Sequence, residues 1–255
     1  MPYAAVNGLQ MYYEEHGVPE GPPLVLLHSY TSTGATNWAT MLPVFGAHYR
    51  LVVPDWRGHG RTVNPGGSAT MNHRQFARDA AGLCRALGLA RARFCGTSSG
   101  AMQLLTLALE APELVQALAL SGCTHYFPDA ARAWLRAQTP ETAFGPEQRQ
   151  ALQERHAAQG PDHWRTVVAS WLAQADRADA EDYPEPEALR RIQASTLIVH
   201  GDRDWLFPVE VPLALYRLLP DAELCVLPQT GHGVHGERPE WFQAIVVDFL
   251  ARRAA

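Results

Sequence analysis

The chain is predicted to be an α/β protein, with a mostly parallel, twisted sheet flanked by helices. Three observations predict it. Short apolar runs bounded by turn residues alternate with stretches of helical periodicity. Several of those runs are continuous rather than alternating, as expected for strands covered on both faces. The rhythm breaks once, from about residue 123 to about 190, and then resumes.

The elements follow in order. "LQMYYEE" (9–15) lies between turn residues and reads as a strand. "PLVLLH" (23–28) is a continuous apolar run, and "YRLVVPD" (49–55) and "ARFCGT" (92–97) resemble it. "NHRQFARDAAGLCRALGL" (72–89) has apolar residues at helical spacing, a capping Asn72 and a terminating Gly88. "SGAMQLLTLALEAPE" (99–113) is a second helix and "LVQALALSG" (114–122) another strand. The interrupting stretch is rich in Ala, Arg, Gln and Glu and reads as short helices broken at Pro140, Pro146 and Pro161. "YPEPEALRRIQ" (183–193) leads back to "STLIVHGD" (195–202), "LCVLP" (224–228) and a final helix over 239–253. The expected organisation is a core of residues 1–122 and 191–255 with a helical cap of residues 123–190.

Composition narrows the function. The 255 residues are 47% hydrophobic and 18% charged, enough to bury a substantial core. A net charge of −5 argues against a nucleic-acid or anionic-membrane surface. Cys84, Cys95, Cys123 and Cys225 are far apart, with no CxxC pair, so neither a zinc site nor a redox motif is supported. The N-terminal residues lack the basic and apolar regions of a signal peptide, and no apolar run reaches membrane-spanning length. A cytoplasmic protein is the expectation.

"FCGTSSGAM" (94–102) raises the question of chemistry, because it places three hydroxyls between two glycines. It follows a predicted strand and opens a predicted helix. A sharp strand-to-helix turn brings the residues two before and two after its centre close together, so both must be small. Only Ser98 is flanked at both distances by glycine, Gly96 and Gly100. A bare G-x-S-x-G is also an ordinary turn before a helix, so partners decide. A serine needs a base, and "PQTGHGVHGERPEWF" (228–242) supplies His232 on a late loop. His232 and His235 could read as a metal pair, but no acidic or cysteine cluster accompanies them. The orienting acid should lie between serine and histidine in sequence. "VHGDRDWLFP" (199–208) offers Asp204 as that acid, with Asp202, which could merely cap the turn, as the reserve candidate.

Over nearly its full length the sequence resembles the α/β-hydrolase superfamily, in five ordered places. These are "HSYTSTG" (28–34) for the oxyanion loop, "DWRGHGRT" (55–62) for the D-x-R-G-x-G-x-S loop, "GTSSG" for the nucleophile elbow, "GDRDWLFP" for the acid loop and "GHGVHGERPE" for the histidine loop with its E-x-P. The resemblance implies an α/β-hydrolase fold with a small helical cap inserted after the sixth strand. It implies Ser98 as nucleophile, His232 as base and Asp204 as orienting acid, with the backbone N–H groups of Tyr30 and Ser99 as the oxyanion hole. Asp55 and Arg57 match positions that stiffen their loop. Three residues depart from the pattern: Ser29 stands where glycine is usual, Thr62 replaces Ser and Ala101 replaces a frequent second Gly. A serine at position 98 argues against dehalogenase or epoxide hydrolase chemistry, which needs Asp there.

The expected function is hydrolysis of small carboxylic esters through an acyl-enzyme, as in carboxylesterases, with no cofactor, no metal, and a small-molecule acyl substrate as the partner. Cleavage of C–C bonds or enol-lactones and perhydrolysis use the same triad, and a non-catalytic binding protein of the same fold is the alternative of another class. Trp134, Phe144, Trp164 and Trp171 of the cap, beside Tyr126 and Phe127, are the candidate lining of an apolar substrate pocket. The sequence leaves the oligomeric state open.

Overall fold

Leu24, Val25, Leu26 and Leu27 are all inaccessible to solvent, but they serve two different cores. Val25 and Leu27 join one, while Leu24 and Leu26 join the other. The same alternation places Val52, Phe94, Leu118 and Ile198 on the first face and Leu51, Val53, Cys95, Ala119 and Val199 on the second. Successive side chains of a strand point to opposite faces, so a strand covered on both sides must be apolar at every position.

The computed structural model describes residues 3–177 and 179–253. Its strands are β1 (Tyr3–Val6), β2 (Leu9–Gly17), β3 (Pro23–Leu27), β4 (Arg50–Pro54), β5 (Ala92–Thr97), β6 (Val115–Ser121), β7 (Ser195–Gly201) and β8 (Ala222–Leu227), in one sheet of order β1-β2-β4-β3-β5-β6-β7-β8. From β4 to β8 all neighbours are parallel, whereas β1 and β2 pair antiparallel at one edge. This is the mostly parallel α/β sheet expected from the sequence.

The helices of the first half are α1 (Gly34–Trp38), α2 (Leu42–Gly46), α3 (His73–Ala86) and α4 (Ser99–Glu110). Those between β6 and β7 are α5 (Asp129–Arg136), α6 (Pro146–His156), α7 (His163–Leu172), α8 (Asp179–Asp182) and α9 (Pro186–Leu189). The last are α10 (Glu210–Leu218), α11 (Val234–Glu237) and α12 (Pro239–Arg252). α3 begins where Asn72 caps the Gln75 N–H at 2.9 Å, and it is followed by Gly88 at φ +67°. α4 stops at Glu110, three residues earlier than its apolar pattern, because Pro112 opens a separate short turn. β1, α1 and α2 are additions to the sequence reading. β1 is a short edge strand turned by Asn7-Gly8, both at positive φ, which is the usual chemistry of a tight hairpin. α1 and α2 have five residues each, too few to show a helical period.

The helical insertion leaves the sheet at the carboxyl end of β6 and packs on the same face as α3 and α4. Its Phe127, Leu135, Val167, Val168 and Tyr183 share one core with Val25, Phe94 and Leu118. Polar anchors add direction. His156 Nδ1 accepts the Gly60 N–H at 3.1 Å, and His163 Nε2 donates to the Gly58 carbonyl at 2.8 Å. No helix among the described residues is long and apolar enough to cross a membrane.

This packing is expected to make the molecule acid-sensitive. Burial drives the ring of His73 down to about 4, and that of His156 down to about 3. In the unfolded chain both titrate near 6.5. Between those limits the unfolded state binds more protons, so stability falls as pH drops from about 6.5 toward 4. Thermal midpoints measured across that window should decline steadily, and His73→Leu should reduce the slope by about one proton. A flat profile would contradict the neutral, buried state of these rings.

Candidate active site

The turn from β5 into α4 sets the first group. Gly96 and Gly100 lie so close that a Cβ on Gly96 would sit 2.4 Å from the Gly100 carbonyl group. A Cβ on Gly100 would fall 2.2 Å from the Leu27 carbonyl oxygen. Ser98, between them, is held at φ +52°, ψ −123°, a conformation that costs a non-glycine residue about 1–3 kcal/mol. Its N–H donates to the Ser121 carbonyl at 2.7 Å, and its side chain stays partly accessible. This is the steric logic that singles out Ser98 in the sequence.

Three loops at the carboxyl edge of the sheet then meet. Ser98 Oγ and His232 Nε2 are 2.9 Å apart, and His232 Nδ1 lies 2.7 Å from Asp204 Oδ2. The other carboxylate oxygen of Asp204 accepts the N–H groups of Leu206 and Phe207 at 2.9 and 3.0 Å. Burial alone would raise the Asp204 pKa. The hydrogen bond and charge of His232, the Phe207 N–H and nearby His200 outweigh it, so the carboxyl titrates below its usual range. Asp202, the reserve candidate for the acid, is exposed and instead accepts the Thr230 N–H at 3.2 Å.

Two supports were not identified from the sequence. His200 Nε2 lies 3.4 Å from Asp204 Oδ2 and 2.8 Å from the Phe207 carbonyl it holds. Glu237, the acid of the E-x-P pattern, accepts the N–H groups of Gly231 and Gly233 at 2.7 and 3.2 Å, clamping the backbone on both sides of His232. Among the described residues no cluster of His, Cys, Asp or Glu could hold a metal ion.

Ser99 is buried in the first turn of α4. The carbonyl of the Ser29–Tyr30 peptide accepts from His28 Nδ1 at 2.8 Å and from the Ser32 N–H at 3.0 Å. In a trans peptide this fixes the Tyr30 N–H in the opposite direction. The Tyr30 carbonyl is held in turn by His59 Nε2 at 2.6 Å. The Tyr30 phenol does not open toward solvent. It is buried, donates to the Met71 carbonyl at 2.7 Å and meets Ser170 Oγ of the insertion at 2.8 Å. Asp55 accepts from the N–H groups of Gly34 and Arg61, and Arg57 forms a buried bidentate pair with Asp79, so both stiffen their loop.

The aromatic residues of the insertion divide. Trp134, Phe144 and Trp171 are half-buried and touch in series, with ring centres 6.0 Å apart for Trp134–Trp171 and 5.6 Å for Phe144–Trp171. Trp134 also meets Trp205, the residue after Asp204, at 4.8 Å. Phe144 lines a cavity of about 280 Å³ with Thr31, the residue after Tyr30. The row thus runs from Trp205, beside Asp204, to the cavity that Phe144 shares with Thr31. Trp164 is apart from it, buried within the insertion beside the groove between α6 and α7.

Comparison with known proteins agrees with this architecture. A family model described as "alpha/beta hydrolase fold" matches residues 22–163. A 2-hydroxy-6-oxo-2,4-heptadienoate hydrolase of Pseudomonas putida is 28% identical over 92% of this chain and 91% of its own. A solved N-acyl homoserine lactone degrading enzyme is 27% identical, covers 97% of this chain and all of its own, and superposes with a TM-score of 0.79. A crystal structure of a meta-cleavage product hydrolase reaches a TM-score of 0.84 over 98% of this chain and 97% of its own at 22% identity, a likeness of fold.

Gly122 offers a local test. It has φ +57°, and a Cβ there would lie 3.1 Å from Cε1 of His232. Gly122→Ala should keep the fold, since its nearest contacts, at 3.1–3.3 Å, are all with His232 and a shift of that residue relieves them, but it should displace His232. Turnover is expected to fall by about 10-fold or more with circular dichroism unchanged. Gly100→Ala, which meets the Leu27 carbonyl instead, should prevent folding. An active, folded Gly100→Ala would refute the close approach of α4 to β3.

Proposed function

Since the chain belongs to the α/β-hydrolase fold family, we propose that it is a serine hydrolase in which Ser98 attacks the substrate carbonyl. The observation that carries this reading is the unbroken hydrogen-bonded chain Ser98–His232–Asp204 at 2.9 and 2.7 Å. His232 takes the Ser98 proton as the Oγ–C bond forms, and Asp204 steadies the imidazolium. The Tyr30 and Ser99 N–H groups receive the oxyanion, the interaction that usually contributes most. His232 then returns the proton to the leaving atom as its bond breaks, and water releases the acyl group through the same base. A complete triad also weighs against a non-catalytic binding protein. Residues 123–190 act as the cap, with the aromatic row Trp134–Trp171–Phe144 facing the substrate.

For the bond that is cleaved, the curated relative is informative by name. A 2-hydroxy-6-oxo-2,4-heptadienoate contains no ester or amide, so its hydrolysis must break a carbon–carbon bond beside a carbonyl. That relationship spans nearly both chains and favours C–C cleavage of such diketone-type compounds over a simple carboxylic ester. A second reading, a neutral lactone or ester, is supported by one observation. Arg132, Arg136 and Arg177 of the insertion are engaged by its own carbonyls and by Asp179, Asp176 and Asp182. Arginines so engaged are poorly placed to receive the carboxylate of a dienoate.

The test compares a 2-hydroxy-6-oxo-dienoate, an enol-lactone and p-nitrophenyl acetate on the wild type and on Ser98→Ala. The expected ranking by kcat/KM places the dienoate first, with every activity lowered at least about 10³-fold in Ser98→Ala. A fluorophosphonate should attach to Ser98. If the ester or lactone is turned over best, the second reading holds. No turnover and an unlabelled Ser98 would overturn both.

A further inference from the structure

Ser29 occupies the position where glycine is usual in the oxyanion loop, and the structure shows what accompanies it. The Oδ1 atom of Asn37 accepts from both the Ser29 N–H, at 3.1 Å, and the Ser29 hydroxyl, at 2.9 Å. The Nδ2 group of the same side chain donates to Thr97 Oγ1 at 3.1 Å. Ser29 precedes Tyr30, and Thr97 precedes Ser98. One amide therefore joins the two chain segments that carry the two oxyanion donors.

Asn37 is itself held. It is only 8% exposed and sits in α1, whose first turn is fixed by reciprocal capping between Thr33 and Thr36. Its neighbour Trp38 is fully buried, with its ring centre 5.7 Å from that of His235. Asn37 thus touches the oxyanion loop and the elbow, while its neighbour Trp38 touches the histidine loop.

We infer that Asn37 is a positioning residue that sets the spacing between the Tyr30 and Ser99 N–H groups, with the Ser29 hydroxyl as its second handle on the oxyanion loop. An oxyanion hole acts through donors fixed before the charge develops, so displacing one donor by a fraction of an ångström weakens the transition state and leaves ground-state binding largely intact. A glycine at position 29 would keep the N–H bond to Asn37 and lose the hydroxyl bond. This inference rests on the serine-hydrolase reading above.

The test uses Asn37→Ala, Thr97→Val and Ser29→Gly, with the best substrate found for the wild type and a trifluoromethyl ketone that forms a hemiketal oxyanion on Ser98. Asn37→Ala should lower kcat by about 10- to 100-fold with KM changed less than about threefold. The inhibition constant of the ketone should rise in parallel with the loss in kcat/KM. Thr97→Val, nearly isosteric, should move both quantities in the same direction. Ser29→Gly combined with Asn37→Ala should cost less than the sum of the two. A purely structural role would instead lower the melting temperature and leave the ketone affinity of the folded protein unchanged, which would overturn the inference. So would an unchanged Thr97→Val if Asn37→Ala fails to fold. A wild type that neither turns over substrate nor reacts at Ser98 would remove the hydrolase reading and this inference together. A reactive wild type with unaltered variants would remove the inference alone.

Discussion

The close approach of α4 to β3 at Gly100 governs the geometry of the carboxyl edge. The Leu27 and His28 carbonyls stand where a side chain at position 100 would be, so the helix can begin only at one height above the sheet. That height forces the chain to leave β5 through the positive φ of Ser98. The strain at one residue is small beside what holds it. Every residue of α4 from Ser99 to Ala108 is buried, between the sheet and its neighbours. Burying a single leucine contributes about 1.5–3 kcal/mol, and Leu104, Leu105 and Leu107 are all buried. The elbow is therefore fixed by the packing of a whole helix.

The second constraint is a buried charge. The Asp204 carboxylate is withdrawn from water, and an isolated charge in that position would cost several kcal/mol. It survives because donors converge on it: two backbone N–H groups of its own loop, His232, and His200 behind. Asp202, two residues away, is exposed and spends its carboxylate on the Thr230 N–H. Gly201 completes the arrangement, because a Cβ there would lie 2.2 Å from the Thr230 carbonyl. The acid and histidine loops can touch only across that glycine.

What could be read in the sequence was what depends on local rules. Strands buried on both faces announce themselves as continuous apolar runs, and the elbow announces itself through paired glycines. Features that depend on distant contacts could not be read in this way. His200 sits in an unremarkable strand end, and Asn37 lies in a helix too short for periodicity. Trp205 gives no sign in sequence that it will meet Trp134 of the insertion. The aromatic residues of the insertion share a composition signal but not a location, which is why Trp164 parts from Trp134, Phe144 and Trp171. Asn7-Gly8 is different, since the hairpin signal was present and a four-residue edge strand was simply short.

The insertion shows how a mostly polar helical segment can be attached firmly. Much of α6 faces solvent and offers little apolar surface for docking. His156 at its end and His163 at the start of α7 hold backbone groups of Gly60 and Gly58 in the 55–62 loop. Gly60 has no alternative, since a Cβ there would strike the Asp55 carboxylate. The polarity of these contacts then dictates protonation. His156 accepts the Gly60 N–H through Nδ1, and a protonated ring could not accept. Burial pushes the same ring toward the neutral form. Hydrogen-bond direction and desolvation demand the same state, so a histidine can be used here as a buried, uncharged acceptor without a counter-ion.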